Sequence, residues 1–147
     1  MPDPAYAVQD AIFDILKGAT DAGNAVYDEV PPDARQIAVA GHLFPRITFG
    51  PSQTVPVDEE ADANCGYDPT EVTQEMNVWS RRKGYPEAKS IASQVRELLH
   101  GTTLDLVGFR MELPLVLRSS DASLDPDGKT HRVRMLFETR TSLVDSG

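Results

Sequence analysis

The chain has 147 residues, of which 14 are Lys or Arg and 23 are Asp or Glu, so its formal net charge is −9 at pH 7 with neutral histidines. This length predicts one domain with a real core. The acidic balance argues against a protein that grips nucleic acid over a broad face, because phosphate neutralisation supplies most of such affinity. A single cysteine excludes an internal disulfide, and together with three scattered histidines it offers no ligand spacing for structural zinc.

The sequence has no features of a membrane or secreted protein. It contains no run of about 18 or more apolar residues. The acidic start "MPDPAYAVQD" lacks the basic and apolar regions of a secretory signal. We therefore expect synthesis in the cytoplasm.

The first half of the chain predicts a helix, a strand and a long loop. Residues 5–17 place their apolar side chains on one helical stripe, namely Val8, Ile12, Ile15 and Leu16. The piece "VYDEVPPDA" follows as a short segment with a double-proline turn, and "RQIAVAGHLF" is typical of a strand. Residues 50–70 are rich in proline, glycine and acidic side chains, which predicts a flexible, exposed loop.

The stretch "NVWSRRKGYPEAKSIASQVRELLHG" joins a predicted strand to a predicted helix. The strand is "EVTQEMNVW", residues 71–79, where Val, Thr and Trp are typical of a half-buried strand. After the cations, apolar residues recur at helical spacing. Pro86 suits the first turn of this helix, and Gly101 suits the position just past its end.

The last part of the chain predicts a two-stranded hairpin. Residues 103–120 alternate as a long strand with Phe109, Met111, Leu113, Leu115 and Leu117 on one face. Pro114 within it favours an edge strand or a bulge. The "DPDG" stretch is a strong turn signal, and residues 130–141 alternate an apolar face with a cationic one.

These elements predict an α+β fold. We expect a single two-layer domain over residues 1–147, in which a mostly antiparallel sheet of about four strands is packed by two main helices.

The sequence carries no recognisable catalytic motif. Ser80 beside two arginines lacks a Gly-x-Ser-x-Gly elbow, and no glycine-rich phosphate loop is present, which favours a structural serine at a strand end. The acidic loop offers many oxygen ligands without the spacing of a calcium loop. We therefore expect no enzyme activity, no cofactor and no specific metal site.

Arg81, Arg82 and Lys83 form a basic turn that has two interpretations. They are either solvated loop cations or a surface that docks on an acidic one by complementary charge. Trp79 could anchor such a contact, although a strand tryptophan is more often part of the core. The residues predicted for a subunit or partner contact are Arg81, Arg82 and Lys83 against Asp58, Glu59, Glu60 and Asp62.

The order of segments, with the stretches "VY-x-x-VPPDA" and "VWSR...G-x-PEAK-x-IA...R-x-LLH", resembles the tail-completion or tail-terminator family of long-tailed phages, prophages and gene transfer agents. The resemblance covers about residues 5–141 and is weakest across residues 50–70. It implies a non-enzymatic α+β protein that forms a ring, commonly a hexamer, at the head-proximal end of the tail tube. Such a ring stops tube polymerisation and joins the tail to the head connector, with DNA passing through its lumen.

The resemblance also implies partners and a location. The partners are further copies of the chain, the tail-tube protein, the head connector or stopper protein, and DNA that passes without sequence-specific binding. A net acidic chain is compatible with a lumen that repels phosphates. Assembly would take the protein from the host bacterial cytoplasm into the particle at the head–tail junction.

Two other classes of function stay open from the residues alone. One is a small non-catalytic adaptor that acts as a monomer, or as a dimer through its sheet edge. The other is a small enzyme that uses Ser80 or the acidic loop, for which the sequence indicates no pocket with converging groups.

Overall fold

The computed structural model of the chain describes residues 3–23, 25–27, 44–57 and 69–143. These residues form two helices and five strands. In chain order the elements are α1 (Pro4–Leu16), β1 (Val26–Tyr27), β2 (Arg46–Pro56), β3 (Thr70–Ser80), α2 (Pro86–Leu99), β4 (Phe109–Leu124) and β5 (His131–Leu143).

The five strands form one mixed sheet in the order β1-β2-β3-β5-β4. The short β1 pairs in parallel with β2, and every other pair is antiparallel. The predicted α+β class is confirmed, with five strands in the described residues instead of about four. The last strand in the chain lies inside the sheet, so β5 pairs with both β3 and β4.

Both helices begin and end within one residue of where the sequence predicts. The Asp3 carboxylate accepts a hydrogen bond from the Ala5 amide at 2.9 Å and caps α1, and Pro4 is the first residue of the helix. Helix α2 opens on Pro86, and Gly101 follows its end with φ +80°, a conformation that favours glycine.

The core lies between the helices and one face of the sheet. Alternate residues of the central strands point into it, and the apolar stripes of both helices cover them. The fully or almost fully buried members on the strands are Ile47, Val72, Met76, Val78, Leu115, Val133, Met135 and Phe137. The predicted apolar face of the last strand is therefore confirmed.

The predicted loop over residues 50–70 is wrong for its first part, because residues 50–56 continue strand β2. Proline and polar residues there are typical of a loop, yet from Ser52 onward β2 pairs with β3, and among the described residues no other strand pairs with this part of it. In the described sheet this part of β2 is an edge, where a residue without an amide donor such as Pro56 is tolerated. Residues 58–68 of the predicted loop lie outside the described residues, as does the predicted strand "RQIAVAGHLF" apart from Phe44.

Strand β4 differs from its predicted pattern. It starts at Phe109, and three register shifts against β5 interrupt its alternation. Leu113 is consequently 49% exposed, so the prediction of one apolar face is wrong at this residue. Pro114 does lie in an edge strand of the described sheet, at the shift between Leu113 and Val116, as expected for a residue without an amide donor.

Candidate interaction surface

The face of the sheet opposite the helices is polar and charged. Strands β3 and β5 pair residue for residue, so their outward side chains stand side by side. We call this the charged face, and it consists of Arg46, Glu71, Glu75, Asn77, Trp79, Arg132, Arg134, Glu138 and Arg140. The cationic face predicted for the last strand is part of it.

Glu75 lies at the centre of the charged face and is only 7% exposed. Arg134 donates to its Oε1, Asn77 donates to Oε2 at 3.2 Å, and Arg132 lies 3.6 Å from the same oxygen. Burial by itself would raise the pKa of Glu75, but the hydrogen bonds from Arg134 and Asn77 and the charges of both arginines hold it below the ordinary value. The carboxylate is therefore ionised and fully engaged within the chain.

Gly50 on β2 makes room for this carboxylate. A Cβ at position 50 would overlap Glu75 Oε2 and approach its Cδ to 3.0 Å. The strand register also shifts between Phe49 and Ser52, and the Gly50 carbonyl accepts a hydrogen bond from the buried Gln74 side chain at 3.0 Å. Gly50 in this bulge thus leaves space for the Glu75 carboxylate, and its carbonyl accepts a hydrogen bond from the buried Gln74.

A series of alternating cations and rings runs across one end of the charged face. Arg81 and Arg46 each lie 4.4 Å from the centre of the Phe44 ring, and Arg46 and Arg132 lie 5.9 and 5.3 Å from Trp79. Burial, followed by the charge of Arg81, lowers the pKa of Arg46. Trp79 is half-buried in this series and donates to Thr48 Oγ1 at 2.8 Å, so it lies on the charged face instead of in the core.

Ser80 occupies the strand end that leads into the basic turn, and it is fully buried. Its hydroxyl donates to Glu87 Oε1 at 2.8 Å and accepts the Arg82 amide at 3.1 Å. The bond to Glu87 holds the basic turn against the first turn of α2, and the bond from Arg82 lies within the basic turn. This geometry favours the structural interpretation of Ser80.

The three cations of the basic turn have different surroundings. Arg81 donates from Nε to Thr130 Oγ1 at 3.2 Å and covers the Phe44 ring, so it is tied to the body of the protein. Arg82 has a side chain that is 78% exposed, with Glu87 Oε2 at 3.8 Å. Lys83 is exposed as well. Arg81 is exposed too, but its contacts hold it against the fold, so Arg82 and Lys83 are the two cations of the basic turn that project.

Thr130 belongs to the hairpin turn between β4 and β5, which Asp127 organises. The Asp127 carboxylate accepts the Thr130 hydroxyl at 2.6 Å, the Lys129 amide at 2.8 Å and the Thr130 amide at 2.9 Å. These bonds, with the hydroxyl first, lower the pKa of Asp127 to about 2. The structure thus joins the basic turn to the hairpin turn through Arg81 and Thr130.

The acidic residues predicted to face the basic turn, Asp58, Glu59, Glu60 and Asp62, lie outside the described residues. Most of the net negative charge of the chain lies in these and the other segments outside the described residues. The described residues hold 13 of the 14 basic side chains and 14 of the 23 acidic ones, a net charge of −1. The remaining segments hold 1 basic and 9 acidic side chains, so they carry −8 of the total −9.

Sequence reasoning missed Glu75 and Gly50. Alternation along β3 would have placed Glu75 on the outward face, but nothing in the local pattern shows that two arginines enclose it. Across the described ranges, no group of three or more His, Cys, Asp or Glu side chains could hold a metal ion. None of the helices described is long and apolar enough to span a bilayer.

Comparison with known proteins decides the family. The sequence matches the family model for tail completion protein gp17 over residues 5–142, which is almost the whole chain. The chain belongs to this family. It is thus a tail completion protein, a structural protein of phage tails, and the predicted family is confirmed.

The fold of this tail completion protein is shared with a solved structure titled "Virion of native gene transfer agent (GTA) particle". The two chains have a TM-score of 0.75 and are 23% identical, and the match covers 94% of this chain and 96% of the other. No curated protein sequence matches the tail completion protein significantly.

Proposed function

We propose that this tail completion protein forms a ring, a hexamer, at the head-proximal end of the tail tube. The ring ends polymerisation of the tube and provides the surface that joins the tail to the head connector. The observation that carries the proposal is the family match over residues 5–142, supported by a fold shared with a chain of a gene transfer agent virion. We propose no catalytic step, since no group of described residues converges in the way that catalysis requires.

The charge distribution supports a lumen through which DNA passes without binding. Affinity for DNA grows with the number of phosphates that basic side chains neutralise. Here the basic side chains of the charged face, such as Arg132 and Arg134, are engaged with Glu75 inside the subunit. A ring with a charge of −9 per subunit repels phosphates, so DNA slides through it.

The basic turn is proposed as part of the contact between neighbouring subunits. Arg82 and Lys83 project into solvent at the start of α2 and are free to reach another chain. Arg81 contributes by holding the turn in place. The predicted acidic partners, Asp58, Glu59, Glu60 and Asp62 of a neighbouring subunit, stay a prediction.

The experiment that tests this function measures the mass of the purified protein, alone and mixed with its tail-tube protein, by light scattering and negative-stain microscopy. We expect rings, or caps at one end of short tubes, and a shift of the tube-length distribution to shorter lengths. A protein that stays monomeric or dimeric and leaves tube length unchanged would contradict the proposal and favour a stand-alone adaptor.

A further inference from the structure

A second charged surface lies on the outer side of α1. It is a groove between this helix and the segment that follows α2, with the buried Phe109 at its base. We call it the acidic groove, and its main residues are Asp3, Tyr6, Asp10, Asp14, Asp105 and Val107.

The acidic groove combines unpaired charge with exposed apolar surface. In the part of the chain that the structure describes, no Lys or Arg forms an ion pair with any of its four aspartates. Tyr6 is 68% exposed and Val107 is 86% exposed, two of the largest exposures among the apolar side chains. Apolar side chains rimmed by charges of one sign are typical of a protein contact surface.

The basic turn lies at the other end of the helical layer. Asp21, which follows α1, lines one depression with Arg82 and Lys83, whereas Asp3 caps the start of α1 and Tyr6 lies in its first turn. The 13 residues of α1 span about 20 Å at the helical rise of about 1.5 Å per residue. The first turn of α1 is therefore remote from the basic turn. Within the described residues, no ion pair joins Arg82 or Lys83 to an aspartate of the acidic groove, so a contact between the two surfaces is one between two molecules.

We propose that the basic turn of one copy docks in the acidic groove of the next, with Arg82 and Lys83 facing Asp10 and Asp105 and with Tyr6 and Val107 covered. Two different surfaces of the same chain form such a contact, so it is heterologous. Repetition of a heterologous contact closes into a ring when the rotation allows. The inference rests on the proposed ring and names the surfaces that build it.

The experiment uses two charge-reversed variants of the full chain. The turn variant carries Arg82→Glu with Lys83→Glu, and the groove variant carries Asp10→Lys with Asp105→Lys. All four positions are exposed, so we expect both variants to keep the fold by circular dichroism and thermal unfolding. In the assay in which the wild type assembles, each variant alone should assemble at least tenfold less, since like charges then face each other.

Mixing the two variants in equal amounts gives the decisive result. In an alternating ring, each cationic turn meets an acidic groove and each acidic turn meets a cationic groove, so we expect assembly to return to near the wild-type level. Glu97→Lys, an exposed reversal on α2 outside both surfaces, is the matched control and should assemble like the wild type. Val107→Ser serves as a second variant that changes no charge, and it should weaken assembly.

Three outcomes would overturn the inference. Variants that assemble as well as the wild type would show that neither surface is used. If both variants are weakened and their mixture stays unassembled, the two surfaces do not meet. If the turn variant instead assembles when mixed with an Asp58→Lys, Glu59→Lys chain, the contact belongs to those residues. A wild type that never assembles, with or without tail tubes, would refute the proposed function itself.

Discussion

Glu75 is a carboxylate that the fold buries on the charged face of the sheet. Isolated burial of a charge is unfavourable, and a buried ion pair is tolerated when hydrogen bonds satisfy it. Arg134, Arg132 and Asn77 do so here. The role of Glu75 is to hold β3 and β5 together on the side that no described helix covers.

We expect Glu75→Gln to lower the free energy of unfolding at pH 7 by about 1–3 kcal/mol, because it removes charge-assisted hydrogen bonds from a buried group. Urea denaturation followed by circular dichroism measures the change. Glu97→Gln, on the exposed face of α2, should change stability little. An equal effect of the two substitutions would show that the Glu75 contacts do not stabilise the fold.

The pH dependence of the Glu75 contribution has a defined sign. The folded state lowers the pKa of Glu75 from the ordinary value of 4.5. Its stabilisation is therefore present above about pH 4.5 and is lost as the pH falls through the lowered value. The stability difference between the wild type and Glu75→Gln should shrink on acidification, and a difference that grows would contradict this account.

Gly50→Ala tests the space beside the carboxylate. The added Cβ would overlap Glu75 Oε2, so we expect a loss of about 1–3 kcal/mol, the usual cost of overpacking. In a Glu75→Ala background that space is open, and the same substitution should cost clearly less. Denaturation of the four proteins of this double-mutant cycle gives the coupling, and additive effects would refute the steric account.

Arg81 and Thr130 connect two turns of the chain. One turn joins β3 to α2, and the other joins β4 to β5. Because β3 and β5 are neighbours in the sheet, both turns lie at the same end. The arrangement keeps the start of α2, and with it the projecting cations, in a defined position.

Arg81→Gln should lower the free energy of unfolding by roughly 1 kcal/mol, the sum expected from a lost ring contact and a lost hydrogen bond. Arg82→Gln should have almost no effect, since its ion pair with Glu87 is long and the arginine side chain is exposed. Thermal unfolding distinguishes the two. Equal melting temperatures would mean that Arg81 is as free as Arg82.

Titration of the hairpin turn gives a prediction for Asp127. Its pKa should lie at about 2 in the folded protein, against 3.8 ordinarily, so the turn is stabilised above pH 3.8 and loses this stabilisation between there and about pH 2. Carboxyl carbon shifts in NMR spectra report the titration. Thr130→Val removes the hydroxyl donor and should raise the midpoint, and an unchanged midpoint would contradict the assigned hydrogen bonds.

At the scale of the whole molecule, charge is distributed unevenly. The described residues are close to neutral, while a groove along α1 is acidic, the far end of the helical layer is basic, and other segments carry −8. Electrostatic attraction between copies acts over about 10 Å at 0.1 M salt and about 3 Å at 1 M. Subunit association is therefore expected to respond to ionic strength.

We expect assembly of the wild type to weaken as NaCl is raised from about 0.1 M to about 1 M. Light scattering at several salt concentrations measures the effect. The turn variant, which lacks the attraction, should respond less or in the opposite direction. Assembly that strengthens with salt in the wild type would indicate a contact dominated by apolar burial.

Much of this tail completion protein could be predicted from local sequence. Both helices, strands β3 and β5 and the turn at Asp127 follow from periodicity, prolines and glycines, which act over a few neighbouring residues. The family followed from the order of these segments. Strand β2 was not predicted, because Pro51 and Pro56 are typical of a loop until the sheet places them on an edge.

Only the tertiary structure decided which of the polar residues are bound and which are free. Arg134 reaches Glu75 across 59 positions of sequence, and Arg81 reaches Thr130 across 49. Such contacts depend on β5 lying between β3 and β4, which no local pattern encodes. The sequence by itself thus determined both helices, strands β3 and β5 and the family, whereas strand order determined that Arg81 is tied down and that Arg82 and Lys83 project.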